Sequence, residues 1–126
     1  MTNVETIQSL YASFAKRDFP AVFALFDPAL EIRHTRELPW GGEYHGHDGA
    51  REFFRKIAEK YQAAPQPEEY IEAGDTVVMV GRLRGKTLAG ERPIDLRVVH
   101  LWTLRDGRIV RYEPFMDTPA MKELIW

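Results

Sequence analysis

Two histidines, each on a strand face that alternation turns inward, are the first residues here that invite a chemical reading. In "RPIDLRVVHLWTL", Ile94, Leu96, Val98, His100, Trp102 and Leu104 fall on one face, and Asp95, Arg97, Val99, Leu101 and Thr103 on the other. In "ALEIRHTR", Leu30, Ile32 and His34 share a face, with Glu31 and Arg33 opposite. A titratable ring on an apolar stripe must find a hydrogen-bond partner or face a cavity. There, an imidazole donates to an oxygen, or takes and returns a proton near neutral pH. The plainer readings are a core histidine satisfied by a backbone carbonyl at 100, and a solvated strand end at 34.

Other side chains join them by position. Trp102 and Tyr112 fall on the inner faces of adjacent strands, and Tyr11 lies on an apolar helix stripe. Trp40 sits in the glycine-rich stretch "ELPWGGEYHGHDG", which reads as a loop. It is either a lid over an apolar ligand, moving on Gly41-Gly42, or an anchor packed onto the sheet. His45 and His47 of the same stretch offer two metal ligands without a third, which is no site. Asp117 precedes Thr118-Pro119 and a helical pattern, so helix capping is the preferred reading over an acid/base role.

The elements that must position these groups are legible in order. Thr2 and Glu5 form a capping box ahead of Val4, Ile7, Tyr11 and Phe14 at helical spacing. "RDFPAVFALFDP" predicts a short helix capped by Asp18, with Pro20 in its first turn and Pro28 ending it. Asp48 is expected to cap a third helix, "GAREFFRKIAEKY", with a stripe of Ala50, Phe53, Phe54, Ile57, Ala58 and Tyr61 that "QAAPQP" breaks. Strands follow, turning at Gly74-Asp75, at Ala89-Gly90-Glu91 and at Asp106-Gly107, the last a strong hairpin signal. Gly81 and Gly85 are candidate points of curvature, and Pro114 suggests an edge or a bulge. "TPAMKELIW" closes the chain as a helix. Helices, a strand, a helix and then a run of antiparallel strands argue for an α+β fold.

Bulk properties set the limits. The 126 residues suit one domain, 1–126, and the apolar share of 44% supplies a core. A net charge of −2 gives no reason to expect nucleic acid or an acidic membrane as partner. Cysteine is absent, which excludes disulfides and thiolate chemistry. No basic segment followed by an apolar run opens the chain, and no stretch is long enough to span a bilayer, so a cytoplasmic protein is expected.

Four stretches then carry a family resemblance over nearly the whole chain: "LYASFAKRDFPAVFALFDPALEIRH", "YHGHDGAREFF", "AGDTVVMVGRLRGKTLAGE" and "VVHLWTLRDGRIVRYEPFMDT". The chain resembles the SnoaL-like and ketosteroid-isomerase-like branch of the nuclear-transport-factor-2-like superfamily. The resemblance implies a cone, in which a curved, largely antiparallel, mixed sheet wraps over three helices around an internal pocket. It also implies homodimers. It leaves function open, because the fold hosts isomerases, cyclases, dehydratases, epoxide hydrolases and binding modules. His100 matches the site where the isomerases place a neutral carboxylic acid, and His34 the site of their basic aspartate. Their oxyanion tyrosine aligns with Leu10, which leaves Tyr11 roughly 100° around the helix. Aligned through "GRIVRY", the acid of the cyclases and epoxide hydrolases falls on Pro114. The hydrolases' Arg and Asp fall near Val80 and Arg82.

The sequence therefore predicts a proton-transfer enzyme, an isomerase, cyclase or dehydratase acting on an apolar carbonyl-bearing molecule without a cofactor. His34 would be its base and His100 its oxygen donor, with Tyr11, Trp40, Trp102 and Tyr112 lining the pocket. The alternative is a noncatalytic ligand-binding or dimeric interaction module of the same fold.

Overall fold

The computed structural model describes residues 1–126. The first helix, α1 (Asn3–Ala15), begins as the capping box requires: Thr2 accepts from the Glu5 N–H, and the Glu5 carboxylate accepts from the Thr2 N–H. It ends in a Schellman motif, with Asp18 N bonded to Ser13 O and Arg17 N to Phe14 O. Arg17 occupies the left-handed position of that motif, at φ 57°. Asp18 caps α2 (Phe19–Ala24) through the Ala21 N–H. The remaining elements are β1 (Phe26–His34), β2 (Gly42–His45), α3 (Gly46–Ala58), β3 (Tyr61–Ala73), β4 (Thr76–Thr87), β5 (Pro93–Arg105), β6 (Arg108–Met116) and α4 (Thr118–Ile125).

The six strands form one sheet in the order β2-β1-β6-β5-β4-β3. Every pairing is antiparallel except β1 with β6, so the sheet is mixed. Its inner face carries the alternation read in the sequence. Leu30, Ile32 and His34 are buried on β1, and Ile94, Val98, His100, Trp102 and Leu104 on β5. α1 packs against β3 and β4, and α3 against β1, β2 and β3, so the sheet curls over the helices.

Gly81 and Gly85 set part of that curl. A Cβ at Gly81 would stand 2.3 Å from the Gln66 carbonyl oxygen, and one at Gly85 2.1 Å from that of Gln62. The β3 and β4 backbones close up there as no larger residue permits, beside a register shift between Pro67 and Glu69. Asp117 caps α4 through the Ala120 N–H, and Met121 of α4 is fully buried. No helix is long and apolar enough to cross a membrane.

Several local expectations are corrected. α2 ends at Ala24, and Pro28 lies inside β1, which begins two residues earlier. Gly42–His45 is not loop but a short edge strand on β1. His45 holds the N-cap position of α3 without a side-chain bond, and Asp48 sits in the first turn, paired with Arg51. "QAAPQP" is extended chain within β3, where its prolines are tolerated because β3 is the outermost strand. Pro114 lies on an interior strand, in register with His100 and at no bulge. The ladder from β6 to β1 ends at Tyr112–Ile32, two residues before it, so its missing N–H costs no bond there.

Candidate functional site

The inner face of β5 brings His100 and Trp102 over α1, and α1 presents Tyr11 to both. The Tyr11 hydroxyl lies 2.6 Å from His100 Nδ1, and the Trp102 indole N–H donates to the Tyr11 oxygen at 2.8 Å. All three residues are buried, and the Trp102 ring stacks on Tyr112 with centroids 3.9 Å apart. Tyr11 is therefore no bystander rotated away from the site. It is the bridge between two strand residues, His100 and Trp102.

A second knot forms at the end of β1. The Trp40 indole N–H donates to His34 Nε2 at 3.1 Å, and His34 Nδ1 lies 3.2 Å from the Thr35 carbonyl oxygen. Indole nitrogen only donates, so Nε2 accepts, and Nδ1 must carry the proton given to Thr35. Both ring nitrogens of His34 are thus engaged by the protein. Trp40 is fully buried and belongs to the wall of the cavity, which corrects the mobile-lid expectation. The Tyr44 hydroxyl donates to the Trp40 carbonyl at 2.9 Å. A Cβ at Gly41 would overlap the Thr35 carbonyl oxygen, so this glycine serves close packing rather than movement.

Together these knots line one inner cavity of about 60 Å³. Tyr11, His34, Trp40, His100, Trp102 and Tyr112, the six residues singled out in the sequence, all stand in its wall. No aspartate or glutamate does, and Pro114 stands in the wall beside His100. His47 points elsewhere, its Nε2 bonded to the Phe26 carbonyl at 2.8 Å, and His45 is exposed. Nowhere do three His, Cys, Asp or Glu side chains converge as metal ligands.

Burial sets the ionisation of the wall. It pulls His100 down to about 3, with the neighbouring His34 adding to the effect. It lowers His34 as well, partly offset by the Thr35 carbonyl. It raises the Tyr11 and Tyr112 hydroxyls well above the usual phenol range. At neutral pH the cavity is uncharged.

Hydrogen bonding decides what that uncharged wall offers. Trp102 fixes one lone pair of the Tyr11 oxygen, and the bond to His100 then has two forms. Tyr11 donates to Nδ1, leaving an N–H at His100 Nε2. Alternatively Nδ1–H donates to Tyr11, leaving a lone pair at Nε2 and the phenolic hydrogen free. No protein group bonds His100 Nε2 or the hydroxyls of Tyr112 and Tyr61, and no fully enclosed side-chain polar atom lacks a partner. These three atoms therefore open onto cavity space. Tyr61 is the contributor that sequence reading missed. It begins β3 rather than ending the α3 stripe, and taking "QAAPQP" for a break hid the strand it opens.

The sequence model of the SnoaL-like domain family matches residues 7–112. An NTF2-like protein of unknown function from Burkholderia pseudomallei K96243 superposes with a TM-score of 0.92 at 33% identity, covering 99% of this chain and 98% of its own. TerC, co-crystallised with polyporic acid, superposes at 0.89 with 35% identity, covering 98% and 97%. An NTF2-like protein from Burkholderia thailandensis E264 superposes at 0.91 with 29% identity, covering 100% and 98%. None of the curated proteins matches the chain significantly.

Proposed function

The chain belongs to the SnoaL-like domain family of the nuclear-transport-factor-2-like superfamily, and we propose that it binds an apolar, ring-bearing ligand with carbonyl oxygens and moves a proton on it. The observation that carries this reading is the Tyr11–His100 couple at 2.6 Å with Nε2 open to the cavity. Starting from the form with a lone pair at Nε2, that atom takes a proton from the ligand. Nδ1 gives its own to the Tyr11 oxygen, and the Tyr11 hydrogen passes to a ligand oxygen. The proton has changed place on the ligand, and no protein group is left ionised. This suits a site where burial makes a charged imidazole expensive. Tyr112 and Tyr61 supply further hydroxyls to ligand oxygens. In this reading His34 is tied at both nitrogens and acts as a base only if Trp40 lets go. Isomerisation and dehydration are the reactions this relay fits, and neither draws on a cofactor. TerC, with polyporic acid, supports the ligand class, since a hydroxyquinone carrying aryl rings combines flat apolar faces with carbonyl oxygens.

The second reading, ligand binding without turnover, is favoured by the absence of any carboxylate in the wall and by the weak basicity of His100. One experiment separates the two. Aryl hydroxyquinones and enolisable aryl ketones are offered in D₂O, with binding followed by native mass spectrometry and deuterium uptake by NMR. The enzyme reading expects exchange that Tyr11→Phe slows about a hundredfold while binding persists. Binding without exchange establishes the second reading, and no binding at all overturns both.

We also propose that two copies pair through the outer sheet face. Ile71, Val78 and Leu101 lie across from one another there, as do Val80, Val99 and Phe115. Ile71 and Phe115 are exposed and the others half-buried. Such a patch suits an isologous contact. Light scattering should give a dimer mass, and Phe115→Asp with Leu101→Asp a monomer. A monomeric parent chain removes the proposal.

A further inference from the structure

The inner cavity is too small for the ligand just proposed. Its volume of about 60 Å³ lies well below the roughly 150 Å³ that admits one benzene ring. A second chamber, of about 340 Å³, adjoins it. The two share Phe14, Phe54, Ile57, Tyr61 and Ala63 in their walls, so a partition one side chain thick separates them. Exposure rises outward across it. Tyr61 is buried, and Phe14, Phe54, Ile57 and Ala63 are half-buried. Arg17, Phe19 and Leu88 on the far side are exposed. The outer chamber is the approach to the inner one, and the two together fall in the ~300–1,000 Å³ range of ordinary ligand sites.

One residue gives the outer chamber a chemical preference. Arg17 is the only charged side chain lining either chamber, and its guanidinium makes no ion pair or hydrogen bond within the protein. It also stands in the left-handed position of the Schellman motif, at φ 57°, where glycine is the least strained choice. The geometry points to a two-chamber site: an elongated ligand displaces the Phe14–Phe54 partition, sets its reacting ring against Tyr11 and His100, and places an anionic or strongly accepting oxygen group at Arg17. The inner half of this assignment rests on the function proposed above.

Two probes differing by one group test it: 8-anilinonaphthalene-1-sulfonate and N-phenyl-1-naphthylamine, which has the same rings without the sulfonate. Fluorescence titration should show one of either bound per chain. Arg17→Asn, which tolerates the left-handed backbone, should weaken the sulfonate about fivefold and leave the neutral probe unchanged. Ala63→Leu, which fills the passage from β3, should weaken both at least about tenfold, and Ile57→Trp does the same from α3 should the β3 variant fail to fold. Folded Ala63→Leu and Ile57→Trp proteins that bind both probes as the parent does overturn the passage, as does an Arg17→Asn protein that treats the two probes alike. Binding that responds to Arg17 and Ala63 but not to Tyr112→Phe places the ligand in the outer chamber alone. That result refutes the spanning site. Binding sensitive to Tyr112→Phe but to neither outer variant keeps the inner reading and removes this one. If neither probe binds, the spanning site falls, while the inner-cavity reading is decided by the hydroxyquinone and ketone experiment above.

Discussion

Acidification should destabilise this protein through one residue above all. His100 is buried and held near a pKa of about 3 against an ordinary 6.5, with burial the leading cause. The unfolded chain therefore binds a proton in the window between those values that the folded chain refuses. Its contribution to stability is whole above the unfolded pKa and falls away as pH drops toward the folded one. At pH 4.5 the unfolded side chain is about 99% protonated and the folded one almost not at all, which amounts to about 2–3 kcal/mol. For a chain of this length that loss is roughly 10 °C in Tm. His34 shifts in the same direction and adds to it. The assay is urea denaturation at pH 7.5 and 4.5 of the parent protein and of His100→Gln, whose amide keeps a partner for Tyr11 but does not titrate. Both proteins share every carboxylate, so the difference of differences isolates the imidazole. The parent should lose about 2–3 kcal/mol more than the variant across that interval. Equal losses would refute the buried, neutral histidine on which the relay depends.

Tyr11→Phe strips the acceptor from the Trp102 N–H and the partner from His100 Nδ1, both buried. A cost of about 2–4 kcal/mol follows, measured by the same denaturation at pH 7.5. Trp40→Phe removes the donor to His34 Nε2 along with part of a fully buried ring system. The NMR-detected titration of His34 should then move up toward the ordinary range, and an unmoved value would discount the indole bond. Gly81→Ala places a methyl 2.3 Å from the Gln66 carbonyl oxygen, so β3 and β4 must part, at about 1–3 kcal/mol by thermal unfolding. Arg17→Gly relaxes a left-handed non-glycine residue at the end of α1 and should raise stability by about 1 kcal/mol.

What the sequence disclosed about this site depended on the range of the interaction. Period-2 alternation is local, and it put Leu30, Ile32 and His34 inward on β1 and Val98, His100 and Trp102 inward on β5, as the buried faces show. The prolines misled where their meaning depends on neighbours. Pro65 and Pro67 look like breakers until β3 is known to be outermost, and Pro114 looks like an edge residue until the β1 ladder is seen to stop short of it. The histidines divide the same way. His34 is fixed by Trp40, six residues on, within a hairpin whose short β2 strand hid behind a glycine-rich, loop-like sequence. His100 is fixed by Tyr11, 89 positions away on a helix, and no spacing announces that contact. Helical phase puts Tyr11 on the inward stripe, the resemblance aligns the isomerases' tyrosine with Leu10 instead, and both residues line the cavity. Only Tyr11 carries a hydroxyl, and that hydroxyl meets both His100 and Trp102 of β5. A resemblance fixes which elements meet. Which side chains among them touch is decided by contacts such as Tyr11 with His100 and Trp40 with His34, and here they left one histidine with a free nitrogen and the other with none.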